Sequence, residues 1–147
     1  GGGVVLDDFA DRQAKILLDE ETLSTGRRRF RLLCTPHLPH GWDASLLFEE
    51  TEGTLFCSDL FFHTGRQPPL VETDIVGPAG DQLAAAAMGP FAHSLPYTPQ
   101  TGPMFERLAR LEPRTLAVMH GAAFRGDGAR ALADLGALIA GRARRDG

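Results

Sequence analysis

Three polar sites close apolar runs in this chain, and their residue types suit metal chemistry. Thr35-Pro-His-Leu-Pro-His-Gly-Trp-Asp43 follows one run, Ser58-Asp59 ends Leu55-Phe-Cys57, and Met119-His120-Gly121 ends Leu116-Ala-Val118. Imidazole and carboxylate groups together are what a hard or borderline cation takes as ligands. Each stands where a strand should stop and a loop begin, which is where scaffolds carry their chemistry. The three endings read as one assembled metal site.

Taken singly, each residue also has a plainer role. His40 lies between Pro39 and Gly41, outside any regular element. A neutral imidazole there can ligate a metal or sit at the surface. His37, three residues earlier, competes as an alternative ligand or orients the ligand through a hydrogen bond. Asp59 ends a buried run, where a carboxylate is costly unless it is paired or bound to a cation; its competing role is a turn or helix cap. His120 is followed by Gly121, which permits backbone conformations closed to other residues, and serves either core or metal. Asp43 reads as a turn cap or alternative ligand, and Trp42 as an apolar lid. Trp42 and His63 are expected at a pocket rim, and His93 in a loop. There is no Gly-x-Ser-x-Gly elbow, Walker loop or Gly-x-Gly-x-x-Gly, so serine hydrolysis and nucleotide binding have no support.

The elements that must position these groups follow from pattern. Val4–Leu6 and Ala14–Leu18 are short apolar segments, with a turn at Asp7-Asp8, after the opening Gly1-Gly2-Gly3. Arg28–Cys34 alternates, predicting a half-buried strand with Phe30, Leu32 and Cys34 on one face and Arg29 and Arg31 on the other. Pro36 and Pro39 stop it. Ser45–Glu49 and Thr54–Ser58, joined by a polar loop with Gly53, predict a β-hairpin. That hairpin would bring Asp43 and Asp59 to the same end of a sheet. Residues 65–80, rich in Pro and Gly, read as a long loop. Asp81–Met88 is Ala-rich and should be helical. Gly102-Pro103 should start a helix, with Pro at its first position, Met104, Leu108 and Leu111 on one face, and Pro113 as its stop. Thr115–Met119 is a short buried strand. Asp127 should cap a final helix, with Leu132, Leu135, Leu138 and Ile139 inward and Arg130, Asp134, Arg142 and Arg144 outward.

Composition sets the class. The chain of 147 residues is 43% hydrophobic and 23% charged, with net charge −4, which suits one domain, residues 1–147. The basic clusters Arg27-Arg-Arg29 and Arg142-Ala-Arg-Arg145 read as solvated edges, not a nucleic-acid footprint. No apolar stretch is long enough to span a bilayer, and no secretory leader is evident. Cys34 and Cys57 fall inside predicted strands and read as free buried thiols of a cytoplasmic protein.

Together these residues resemble the C-terminal half of the metallo-β-lactamase fold, in its oxygen-binding di-iron, flavodiiron branch. The motifs are His40-Gly-Trp-Asp43, then Leu55-Phe-Cys-Ser-Asp59, then Met119-His-Gly121, in that order. The resemblance implies an α+β architecture: half of an αββα sandwich, a mainly antiparallel sheet with helices on one face. It implies His40 and His120 as terminal ligands of two divalent metals, zinc or iron, and Asp59 as the bridging, catalytic carboxylate. The implied activity is hydrolysis of an ester, amide, thioester or phosphoester of a small molecule by a metal-bridging hydroxide. The alternatives are a di-iron module binding oxygen or nitric oxide, and a catalytically silent interaction domain. The family's upstream His-x-His-x-Asp-His or His-x-Glu-x-Asp-His stretch does not precede His37. Half a sandwich would leave one sheet face bare, so pairing with a second copy or with an N-terminal half is expected.

Overall fold

The computed structural model describes residue 11, residues 15–92 and residues 94–146. Gly1–Gly3, Val4–Leu6, Asp7-Asp8, Ala14 and His93 lie outside the described residues. Seven strands form one sheet: β1 (Thr22–Ser24), β2 (Arg29–Cys34), β3 (Ser45–Glu49), β4 (Thr54–Ser58), β5 (Leu70–Val71), β6 (Thr115–Val118) and β7 (Ala123–Arg125). Three helices are described: α1 (Val76–Ala86), α2 (Thr101–Ala109) and α3 (Gly128–Asp146). The sheet order is β1-β2-β3-β4-β6-β7-β5. Its pairs are antiparallel except β4 with β6 and β5 with β7. This is the expected mixed architecture with a mainly antiparallel sheet.

The hairpin β3–β4 has the predicted bounds, with Leu47 opposite Phe56 and Phe48 opposite Leu55. Leu33, Leu46, Phe48, Leu55, Cys57 and Leu116 are buried on one sheet face, and the core continues into Met104, Phe105 and Leu108 of α2 and Leu132, Leu135 and Ile139 of α3. Gly136 admits this contact, because a Cβ there would lie 2.9 Å from the Phe105 ring. The other sheet face carries Phe30, Leu32, Leu47 and Phe56, with Phe56 42% exposed. There the Phe30 and Phe56 rings lie 6.1 Å apart.

Several expectations are corrected. In β2 it is Leu33, 0% exposed, that faces the core, while Phe30, Leu32 and Cys34 are only half-buried. Leu33 is opposite Leu46 on the helix-covered side, and the alternation of β2 alone does not tell which side that is. The stretch 65–80 is not one loop: it holds β5 and the start of α1. The helix placed at Asp81–Met88 begins five residues earlier. Asp74 Oδ1 accepts the Val76 and Gly77 N–H groups at 2.9 Å, and Pro78, within the first turn, forfeits no helical hydrogen bond. Likewise Pro103 is the third residue of α2, not the first, and α2 ends at Ala109, before Pro113. The final helix is as expected: Asp127 Oδ1 accepts the Arg130 N–H at 2.8 Å, a helix N-cap. Both cysteines are free thiols, and burial pushes the Cys57 thiol far above its ordinary range, which makes it inert.

Candidate metal centre

Strand direction assembles the site. β2 and β4 are both antiparallel to β3, and β6 is parallel to β4. All three therefore run the same way and end at the same edge of the sheet. His40 lies in the loop after β2, Asp59 directly follows β4, and His120 comes two residues after β6. Residues 80 positions apart in sequence meet because their strands end together.

Each ending is fixed locally. Thr35 Oγ1 donates to the Leu38 carbonyl at 2.6 Å, and both residues are buried. Leu38-Pro39 is a cis peptide bond immediately before His40. Arg107 of α2 donates to the Cys34 carbonyl at 3.1 Å and to Asp19 Oδ1 at 2.7 Å, which anchors the end of β2. At β4 the register with β6 shifts between Phe56 and Ser58, and Ser58 takes a left-handed conformation with φ 49°. Bulges of this kind re-aim a side chain at a strand end; here the next side chain is Asp59.

Asp59 is the junction. His40 Nε2 donates to its Oδ2 at 2.7 Å, and His120 Nε2 lies 3.6 Å from its Oδ1. One imidazole thus addresses each carboxylate oxygen. Oδ1 is buried and accepts no hydrogen bond among the described residues. A buried anionic oxygen without a donor is costly, and a cation is the partner that would satisfy it. Both imidazoles are more than half exposed, and the Phe62 ring meets His120 edge-on at 5.7 Å. Among the described residues, no group of three or more His, Cys, Asp or Glu side chains is placed to hold a metal ion. The donors present, two imidazoles and a carboxylate, fit zinc or iron in chemistry but supply only part of a shell.

The other expected site residues divide. His37 is exposed and has φ 65°; no hydrogen bond links its ring to His40 or Asp59 among the described residues. Asp43 is exposed beside Gly41. Trp42 is 68% exposed and is not among the residues lining the cavity that His40, Asp59 and His120 share. His63 is not at a rim: it is 4% exposed. Its backbone N–H donates to the His120 carbonyl at 3.0 Å. Its Nε2 accepts the Ala122 N–H at 3.0 Å, so Nδ1 carries the proton and donates to the Phe61 carbonyl at 2.8 Å. His63 therefore ties the segment after Asp59 to the loop carrying His120. Gly121 makes room for it: at φ 137°, a Cβ there would lie 2.4 Å from the imidazole. The His63 and Gly121 pairing is 58 residues apart in sequence, and only the flanking Asp59 and His120 hinted at it.

Behind Asp59 lies a cavity of about 560 Å³. His40, Asp59 and His120 stand on its wall, and most of the rest is apolar, including Leu60, Leu83, Leu95 and Ile139.

No protein-family model matches the chain, and no curated protein matches it in sequence. Solved structures do match in fold. A flavo di-iron protein of Thermotoga maritima superposes with TM-score 0.68 at 20% identity, over 91% of this chain and 33% of that one. The rubredoxin oxygen:oxidoreductase of Desulfovibrio gigas gives TM-score 0.66 at 22% identity, over 90% and 33%. The chemotaxis sensor ODP of T. denticola gives TM-score 0.59 at 18% identity, over 79% and 47%. The chain thus has the fold of part of these flavo di-iron proteins and spans about a third of their length.

Proposed function

We propose that this chain is the C-terminal portion of a dinuclear metal centre, with iron as its metal. His40 and His120 would each hold one metal and Asp59 would bridge the two. The observation that carries this reading is the placement of one imidazole against each Asp59 oxygen, with Oδ1 buried and unpartnered. Iron is favoured because the structural neighbours include flavo di-iron proteins and a sensor solved as a peroxy diiron species. The remaining ligands would come from residues outside this sequence, since three side chains cannot fill two metal shells.

The metals, when bound, supply Lewis acidity and, for iron, redox chemistry. This chain's residues do the rest. His40 and His120 orient toward Asp59, His63 holds the His120 loop in register with Asp59, and Leu60 and Leu83 give the adjoining cavity an apolar wall. A second reading, a zinc hydrolase acting on a small organic molecule, has one observation in its favour: the mostly apolar cavity beside Asp59, whose volume of about 560 Å³ suits such a molecule. The sheet face that no described helix covers supports pairing with an N-terminal half or a second copy. No described helix is long and apolar enough to cross a membrane.

Elemental analysis of the chain purified without chelator tests the proposal. Iron supports the di-iron reading, and zinc moves the assignment to the hydrolase. A protein that stays metal-free on anaerobic incubation with either ion would show that His40, Asp59 and His120 do not hold a metal in this chain.

A further inference from the structure

The cavity beside Asp59 is large, mostly apolar and polar in few places. Its polar wall groups are few: Thr64 Oγ1 donates to Gln82 Oε1 at 2.7 Å and His40 donates to Asp59, while Asp59 Oδ1, the Ser94 hydroxyl and the His120 ring have no hydrogen-bond partner among the described residues. A sugar or a nucleotide would bring many polar groups into a space with few free partners, at a cost for each one left unpaired. An alkyl chain or a single ring would instead cover Leu60, Leu83, Phe91, Leu95, Leu135 and Ile139. The volume of about 560 Å³ lies within the range of small-molecule pockets. The wall formed by His40, Asp59 and His120, with the unpartnered Asp59 Oδ1, can receive a polar head.

We infer that the cavity binds a neutral, mostly apolar organic molecule, an alkyl chain or one ring with a single polar group, whose head rests against His40, Asp59 and His120. This inference deepens the proposed metal centre by naming the class of molecule brought to it.

The probes are neutral straight-chain alcohols, 1-pentanol to 1-decanol, titrated into chain carrying ¹³C-labelled Leu and Ile methyl groups and followed by NMR. The expected result is saturable shifts at Leu83, Leu95, Leu135 and Ile139. Affinity should rise about fourfold per added methylene until the cavity is full. Ala86→Phe should abolish these shifts by occupying the space. Ala85→Phe, at a more exposed wall position, repeats that test where the added ring leaves the core untouched. Shifts that stay linear to the solubility limit, or that appear only at Leu32 and Leu47 on the sheet face that no described helix covers, would overturn the inference. An iron titration on the same sample separates the two proposals. Alcohol binding without iron uptake leaves the cavity standing and removes the metal centre, and iron uptake without alcohol binding does the reverse.

Discussion

At the scale of residues, the account turns on Asp59 and on the pair His63 and Gly121. His40, Asp59 and His120 were legible in the sequence because each stands at a strand end with a residue type that ligates. His63 was not. It has the same side chain as the candidate ligands, and nothing near it in sequence shows that both ring nitrogens are used on backbone groups of distant segments. Gly121→Ala adds a Cβ inside contact distance of His63 at a φ that side chains avoid. It should destabilise by about 2 to 4 kcal/mol in urea unfolding. His63→Ala leaves the Ala122 N–H and the Phe61 carbonyl without partners, and should cost about 2 to 4 kcal/mol. If either variant unfolds like the parent, the tie between the segments carrying Asp59 and His120 is not what holds them.

At the scale of elements, the site exists because β2, β4 and β6 share a direction. The hairpin was readable from Gly53 between two apolar runs, and with it the common end of Asp43 and Asp59. The start of α1 was not readable, because Pro78 and the nearby glycines mimic a loop, whereas Asp74 accepts the Val76 and Gly77 N–H groups and the first turn needs no N–H from Pro78. The buried side of β2 was hidden for another reason: both of its faces carry apolar residues, and only the position of the helices chooses between them.

The end of the sheet opposite the site is held by charge. Glu50 accepts hydrogen bonds from Arg29 and Arg31. Its partial burial works to raise its pKa, but those two guanidinium groups outweigh burial and leave it below the ordinary 4.5. A carboxylate whose folded pKa is depressed contributes stability above its unfolded pKa and loses it as pH falls through the folded one. Unfolding free energy should therefore decline as pH drops below about 4.5, and Glu50→Gln should flatten that decline. An unchanged slope in the variant would assign the acid sensitivity to other groups, such as Glu49.

At the scale of the whole molecule, the helices cover one face of the sheet and leave the other with Phe30, Leu32, Leu47 and Phe56. Apolar surface of this kind marks an interface. Sedimentation velocity should show self-association, and Phe56→Lys should shift the chain toward monomer; a parent chain that sediments as a monomer at all concentrations would leave the face without a self-partner. Read as one domain, residues 1–147 should also melt in a single cooperative transition.

The central claim, that His40, Asp59 and His120 are metal ligands, is tested most directly by anaerobic calorimetric titration of ferrous iron into the chain and into Asp59→Ala. The account predicts saturable binding in the parent, weakened at least about tenfold when the carboxylate between the two imidazoles is removed. Superimposable isotherms for the two proteins would contradict it.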